Sequence, residues 1–442
     1  LWSLLLLSGC GGGLAPADTT ASALAAPVLA VSAADIKTLR LDWTAVAGAT
    51  EYRVAVSPDA LQPFEPVATA PAHRTHHEAE VLLPDRIGAR YRVSACDARG
   101  CTDSAPVSVD TAVLNAAIGY FKASNPGGSF GASAALSPDG RVLAIGVPGD
   151  DSAATGIDGD PGTASASDSG AVYVFARSAA GWTRQAYIKP GTTTAGDGFG
   201  QQVALSDNGL RLSLAVAAPR RNGDDGAVVV FENEGAGWTQ VAELAPPVPG
   251  DATTLGAALA LSADGTTLVV SEDNGFGLMP EAHVYTRGPG GWLPTPDTLP
   301  LADTVHLLSG TFAEALAVSG DGNTVAVASR GQNIDTTAIT TPGAVYVFTR
   351  SAGVWSVQTR LTASNAGDGD DFGMSVALST DGQTLAVGAR SEDSPSSGVS
   401  GSQGNCIIYS GAVYLNALAP IEKEPSGPLS GSFSSGQAAR FC

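Results

Sequence analysis

At 442 residues and a formal net charge of −20, the chain is long enough for two or three domains and too acidic for a protein that tracks phosphates. Glycine is abundant at 54 residues, and no long apolar stretch of helical period occurs, so short strands between Gly, Asp, Ser and Pro turns are expected. That pattern argues for an all-β chain whose acidity suits a solvated surface or divalent cations.

Residues 1–10, LWSLLLLSGC, form an apolar run that closes on small residues and a cysteine. The run is too short to span a bilayer as a helix and reads as the end of a secretory signal. The initiator Met and a basic leading region are missing, so residues upstream of Leu1 are expected. Leu7-Ser8-Gly9-Cys10 resembles a bacterial lipobox, in which the cysteine is lipidated and becomes the mature N-terminus. The alternative is an ordinary signal with an incidental cysteine. The resemblance implies lipidation at Cys10 and a membrane met through the lipid anchor only. With Gly11 following, it also implies a bacterial outer-membrane lipoprotein on the cell surface or the periplasmic side. Residues 11–26, rich in Gly, Ala, Thr and Pro, read as a flexible tether.

Residues 27–110 alternate apolar and polar positions over Leu39–Trp43, Tyr52–Val56 and Tyr91–Ala95, the period of half-buried strands. A Trp early on, a Tyr in the next strand and Leu83-Pro84 ahead of Tyr91 fit a β-sandwich and resemble a fibronectin type III domain. The resemblance implies Trp43 in the core, a tyrosine corner at Tyr91 and a spacer or interaction role without chemistry. Cys96 and Cys101 flank a hairpin tip and are expected to form a disulfide; metal binding is the rival, but the pair lacks two further ligands. His73, His76 and His77 are expected on a solvated strand edge, with metal capture as the alternative, and His283 and His306 as structural residues. Residues 111–117 read as a linker.

Residues 118–416 repeat. Asp139-Gly140, Asn208-Gly209, Asp264-Gly265, Asp321-Gly322 and Asp381-Gly382 recur about every 60 residues, a period of repeat architectures. Each pair sits between two strands, a and b, of small apolar residues, and is expected to supply the positive-φ positions of a tight hairpin. A third strand, c, carries aromatics, as in Tyr173-Val174-Phe175. A fourth, d, follows Trp182, Trp238, Trp292 or Trp355. The fifth repeat lacks strand d, while YFKASN at 120–125 matches RLTASN at 360–365. Ile118–Ser124 is therefore expected to complete the final sheet and close a five-bladed ring. An open array that dimerises through its ends is the alternative.

Phe130-Gly131, Phe199-Gly200 and Phe372-Gly373, the endings Val147-Pro148 and Ala218-Pro219, and strands such as Gly343–Phe348 resemble the FG-GAP repeats of integrin α-chain propellers and their bacterial relatives. The fold implied is a fibronectin type III sandwich followed by a five-bladed FG-GAP-type β-propeller, although propellers of that family usually have seven blades. In such a meander the d–a and b–c loops share one face. The b–c loops vary most in length, which marks that face as the ligand face. Its candidates are Asp150, Asp151, Asp158, Asp160 and Asp168 in repeat one, Asp224 and Asp225 in repeat two, and Glu392 and Asp393 in repeat five. Asp197, Asp368, Asp370 and Asp371 join them from d–a loops. Arg220, Arg221, Arg330 and Arg390 end b strands there and are expected to pair these acids or to capture an anionic ligand. Ca²⁺ is expected at Asp158, Asp160 and Asp168, in a Gly-containing acidic loop, although no loop has the three alternating Asp of the integrin-like sites.

No Ser/His/Asp grouping, metal-binding His pair in the ring or phosphate-cradling loop emerges, so the protein is expected not to be an enzyme. The leading expectation is an adhesion or recognition module for a protein or glycan, with no nucleic acid partner. A polysaccharide-acting hydrolase or lyase using loop carboxylates, and a periplasmic assembly scaffold, are the alternatives. Residues 417–442 read as an irregular tail, with Cys406 and Cys442 as a second disulfide.

Overall fold

The computed structural model describes residues 24–35, 38–59, 62–81, 86–111, 113, 121–125, 127–178, 181–248, 250, 254–273, 281–300, 311–330, 343–367, 369–394 and 410–418. Apart from helical residues at Arg86, Thr111 and Val113, the elements among them are β-strands, and the chain divides into two compact units, 1–121 and 122–442. The expectations for Cys10, the tether up to residue 23, Cys406, Cys442, Asp368 and Ile118–Tyr120 fall outside the described residues.

The first unit contains β1 (Leu29–Asp35), β2 (Thr38–Trp43), β3 (Glu51–Ser57), β4 (Glu65–Pro71), β5 (His76–Glu80), β6 (Arg90–Asp97), β7 (Gly100–Asp103) and β8 (Val107–Ser108). They form two sheets, β1-β2-β5 and β4-β3-β6-β7, with β8 pairing β6. The alternating apolar residues Leu39, Leu41, Tyr52, Val54, Tyr91 and Val93 meet in one core with Trp43. Trp43 packs on Tyr52 at 5.5 Å between ring centroids. The Tyr52 hydroxyl accepts a hydrogen bond from the Val46 amide at 2.7 Å, so the tyrosine shown bonded to backbone is Tyr52, while Tyr91 is buried in the core. Cys96 and Cys101 lie directly opposite on β6 and β7 and are disulfide-bonded, which settles the hairpin expectation in favour of the disulfide. His76 and His77 lie on the edge strand β5, half-exposed.

The second unit contains five sheets, each an antiparallel meander in chain order. The first has β9 (Ser133–Leu136), β10 (Val142–Val147), β11 (Ala171–Ser178) and β12 (Gly181–Ile188). The second has β13 (Val203–Asp207), β14 (Leu212–Ala218), β15 (Ala227–Asn233) and β16 (Trp238–Leu244). The third has β17 (Thr254–Leu261), β18 (Thr267–Asp273), β19 (Glu281–Gly288), β20 (Gly291–Trp292) and β21 (Asp297–Thr298). The fourth has β22 (Thr311–Val318), β23 (Thr324–Arg330), β24 (Ala344–Ser351) and β25 (Val354–Leu361). The fifth has β26 (Phe372–Leu378), β27 (Thr384–Ala389) and β28 (Ala412–Ala417).

Inner strands such as β15 are buried on both faces, which is why they read as continuous apolar runs rather than alternating ones. The valines of one c strand pack on the next sheet. Val172 and Val174 meet Phe199, Val203 and Leu214; Val228 and Val230 meet Leu255 and Leu268; Val345 and Val347 meet Phe372 and Leu385. Each buried valine contributes roughly 1.5–3 kcal/mol.

At two of these seams the backbones also pair as isolated bridges. Gly170, before β11, pairs in parallel with Phe199, and Gly226, before β15, pairs with Leu255. The Phe199 amide donates to the Ser169 carbonyl at 3.1 Å, and the Leu255 amide to that of Asp225 at 3.1 Å. A Cβ on Gly170 or Gly343 would come within 2.0 Å of the carbonyl oxygen of Phe199 or Phe372.

The a–b turns differ from expectation in one respect. Gly140, Gly265, Gly322 and Gly382 take φ of 70°, 68°, 67° and 69°, but the aspartates before them are not left-handed. Each of these aspartates instead accepts a hydrogen bond from a serine two residues earlier. Ser137 donates to Asp139 at 2.6 Å and its hydroxyl accepts the Val142 amide at 2.9 Å; Ser262, Ser319 and Ser379 repeat the arrangement. Successive turns are then joined. The Asn208 side chain donates to the Asp264 carbonyl, the Asp264 amide to that of Gly320, and the Gly320 amide to that of Thr380.

The expected closing strand is not seen among the described residues. Residues 121–124 form no strand, and β28 has no neighbour beyond β27. Ser124 accepts from Arg184 of β12 at 2.9 Å, and Asn125 donates to the Pro161 carbonyl at 2.8 Å. The segment thus bonds the repeat that follows it, as Asn365 bonds Glu392 in the b–c loop of the fifth repeat, which accounts for the shared Ser-Asn.

Bonds from Ser137 and Ser379 hold the Asp139 and Asp381 carboxyls below their usual range; at Asp321 burial works against this, but Ser319 and Asn323 prevail. Depressed carboxylates add stability above the unfolded carboxyl range near 4, and that stability is lost as pH falls through the lower folded values. The urea midpoint is expected to drop as pH is lowered below about 4, and Ser379→Ala to reduce that drop. A midpoint with the same acid dependence in both proteins would count against the serine–aspartate turn.

Candidate ligand-binding face

The b–c and d–a loops lie together, as the meander requires. The Gly196 and Gly198 amides of one d–a loop donate to the Ser167 and Asp168 carbonyls of a b–c loop at 2.8 and 3.0 Å. Beneath them the third residue past strand b is buried in three repeats: Asp150, Arg221 and Glu392.

Asp150 accepts from the Tyr187 hydroxyl at 2.9 Å, the Ser152 amide at 3.0 Å and the Lys189 ammonium at 3.2 Å. Lys189, fully buried, also donates to the Ser169 hydroxyl at 2.9 Å and to the Ser152 carbonyl. Burial pushes the Lys189 ammonium down and the Tyr187 phenol up. Arg221 donates to Glu243 and Asp197, each at 2.7 Å, and to the Thr192 carbonyl at 2.9 Å. Burial opposes its charge, but these carboxylates hold its pKa raised. Glu392 accepts from Asn365 at 2.6 Å and from the Ser394 hydroxyl at 2.8 Å. The Tyr414 hydroxyl donates to Asn365, and burial, with Glu392 and Asp370 nearby, pushes it up to about 12.

Five expected face residues are therefore corrected, among them Asp370, which is buried and accepts the Gly367 amide at 2.6 Å. Like it, Asp150, Asp197, Arg221 and Glu392 are buried and serve as anchors under the loops. Their partners Lys189, Tyr187, Glu243 and Asn365 come from strand d or the stretch after it, and each repeat uses a different pair, so no shared motif marks them. The side chains that do face outward are Asp151, Asp158, Asp160, Asp168, Asp224, Arg220 and Arg390, with Asp225, Asp371 and Asp393 half-buried. Arg390 pairs with Asp371 at 3.0 Å, and the two line a cleft of about 560 Å³ with Gly369 and Ser391. The Arg330 side chain lies outside the described residues.

The expected calcium ligands are not brought together. Asp158 accepts from the Tyr187 amide at 2.9 Å and Asp160 from the Gly162 amide at 2.8 Å, and Asp168 is a left-handed turn residue. Among the described residues, the one group of three metal-capable side chains within 4.8 Å is Glu272, Glu281 and His283. His283 is fully buried, and both ring nitrogens are already engaged, Nε2 by Glu272 and Nδ1 by Thr298 at 3.1 Å. That arrangement is a satisfied structural histidine, as expected from the sequence.

Residues 355–405, from β25 through β27 into the following loop, match the FG-GAP repeat family. No curated protein matches the chain. Among solved structures, the fn3 domain of the human collagen alpha-1(XX) chain is similar over 25% of this chain and 100% of its own, at 22% identity and a TM-score of 0.18. The periplasmic gluconolactonase of Pseudomonas aeruginosa is similar over 84% of this chain and 100% of its own, at 14% identity and a TM-score of 0.29. The GH74 xyloglucanase of Xanthomonas campestris is similar over 81% of this chain and 43% of its own, at 14% identity and a TM-score of 0.34. Scores of this size carry no argument about activity.

Lys189→Met would strand the Asp150 carboxylate in the interior and is expected to cost about 3–5 kcal/mol in chemical denaturation. Adding Asp150→Asn is expected to recover much of that loss. Additive losses would show that the two side chains are not coupled.

Proposed function

We propose that this protein is a non-catalytic recognition module of the bacterial surface. In this reading a fibronectin type III spacer carries five FG-GAP-type blades as an open array, and a lipid on Cys10 holds both at the outer membrane. The face of b–c and d–a loops takes a protein or glycan ligand.

The supporting observation is the build of that face. Its exposed carboxylates and the Asp371–Arg390 pair stand on loops tied down by buried Asp150, Arg221 and Glu392. Loops fixed in this way lose little entropy on binding, which favours recognition. Carboxylates and an arginine offer acceptors and a forked donor to hydroxyl-rich or polar partners. Calcium at Asp158, Asp160 and Asp168 would have to draw Asp158 and Asp160 away from their backbone partners, and the proposal does not rely on it. Among the described residues no serine or cysteine of this face bonds a histidine, and the pairs present are turns and ion pairs.

The test combines a glycan array with capture of envelope proteins. A bound ligand is expected, and Asp371→Ala with Arg390→Ala is expected to weaken it about tenfold or more, the scale of losing a charged contact. Cys10→Ala is expected to release the protein from membranes. Turnover of a polysaccharide by the unaltered protein, or binding untouched by substitutions across this face, would overturn the proposal.

A further inference from the structure

The two end sheets of the second unit carry the two halves of one joint. In the first sheet, Ser133, Gly146 and Gly170 receive the leading residues of the second. The Ser133 hydroxyl donates to the Gly200 carbonyl at 2.9 Å. A Cβ on Gly146 would lie 2.0 Å from that same oxygen, and one on Gly170 would lie 2.0 Å from the Phe199 carbonyl. Serine and two glycines thus form a receptor for a Phe-Gly backbone.

The fifth sheet repeats all three residues in register: Ser375, Gly388 and Gly411. There the receptor is empty among the described residues. The atoms nearest a Cβ on Gly388 would be those of Ser375 in its own sheet, and those nearest one on Gly411 would belong to Ala389 and Arg390. Val413 and Leu415, beside it, are 71% and 75% exposed, whereas their counterparts Val172, Val174, Val345 and Val347 are fully buried by the next sheet. Met374 is exposed on the rim, and a shallow cleft of about 370 Å³ runs over Ser375, Gly388, Gly411 and Val413.

The matching half is at the other end. Phe130-Gly131 holds the place of Phe199-Gly200: the Gly131 amide donates to the Gly146 carbonyl at 3.1 Å, as that of Gly200 does to Ala217 at 3.0 Å, and their φ values are 90° and 94°. A Cβ on Gly131 would meet nothing within 4 Å, and Leu136 of β9 is exposed.

We propose that the open face of the fifth sheet binds the first sheet of a second copy of this chain, with Phe130-Gly131 seated on Ser375, Gly388 and Gly411. The joint continues the seam already formed between sheets one and two. A second copy can use it with every existing seam intact, whereas among the described residues of one chain the end sheets have no pairing. The contact is heterologous, so each added copy leaves one receptor and one Phe-Gly edge free.

The test uses the full chain in two forms. Val413→Glu with Leu415→Glu charges the receptor side, and Leu136→Glu charges the other side; all three positions are exposed, so folding is preserved. Sedimentation is expected to show species of rising mass for the unaltered chain and monomers for each variant alone. An equimolar mixture of the two is expected to give a one-to-one dimer and nothing larger, because each retains one intact end. Self-association of either variant alone would assign the contact to another surface. A monomer at every concentration, with Leu136→Glu lowering its melting temperature, would mean that the joint closes within one chain. Either result would overturn the proposal.

Discussion

Everything in the repeat unit depends on backbone meeting backbone where one sheet ends and the next begins. Gly170 and Phe199, Gly226 and Leu255, and Gly343 and Phe372 approach so closely that no side chain fits between them. The approach fixes the spacing of neighbouring sheets, and the spacing decides which residues their facing strands can hold. Alanine, valine and glycine make up most of β10, β14, β23 and β27, and at Gly146 of β10 an added Cβ would strike the Gly200 carbonyl. The Phe-Gly signature is thus a packing rule. The ring plugs the sheet face, and the glycine, at φ near 94° in Gly200, lets the chain turn beneath the preceding sheet.

The same joint sets the two sides of the unit apart. On one side short serine–aspartate turns link in series from Asn208 to Thr380. On the other side the chain must leave strand b, travel and return to the glycine before strand c, and this excursion tolerates length. A buried polar residue at its start holds each described excursion to its own sheet. That the residue is acidic in repeats one and five and basic in repeat two shows that the requirement is burial with a full set of partners.

Much of this was legible in the sequence. The repeats, the order of strands, the common side of the b–c and d–a loops and the Cys96–Cys101 bridge all follow from local signals: turn residues, aromatic spacing and a short hairpin. The inward turn of Asp150, Arg221 and Glu392 was not legible, because it depends on Lys189, Glu243 and Asn365, which lie tens of residues away and share no residue type. The turns were half legible. Asp-Gly marked their places, but the serine two residues before the aspartate is what ties each of them, and it leaves only the glycine left-handed. The match between 120–125 and 360–365 marks a shared lead-in, since Ser124 and Asn125 bond the first repeat as Asn365 bonds Glu392, while the strand expected over Ile118–Ser124 lies partly outside the described residues.

Gly170 and Gly209 offer the most direct measurement. Both are left-handed, at φ of 83° and 81°, but a Cβ at Gly209 would meet open space while one at Gly170 would strike the Phe199 carbonyl. Unfolding free energies of Gly170→Ala and Gly209→Ala therefore separate the close approach from backbone strain. Gly209→Ala is expected to lose about 1 kcal/mol, and Gly170→Ala about 3 kcal/mol or more. Equal losses at the two positions would contradict the joint on which the repeat unit is built.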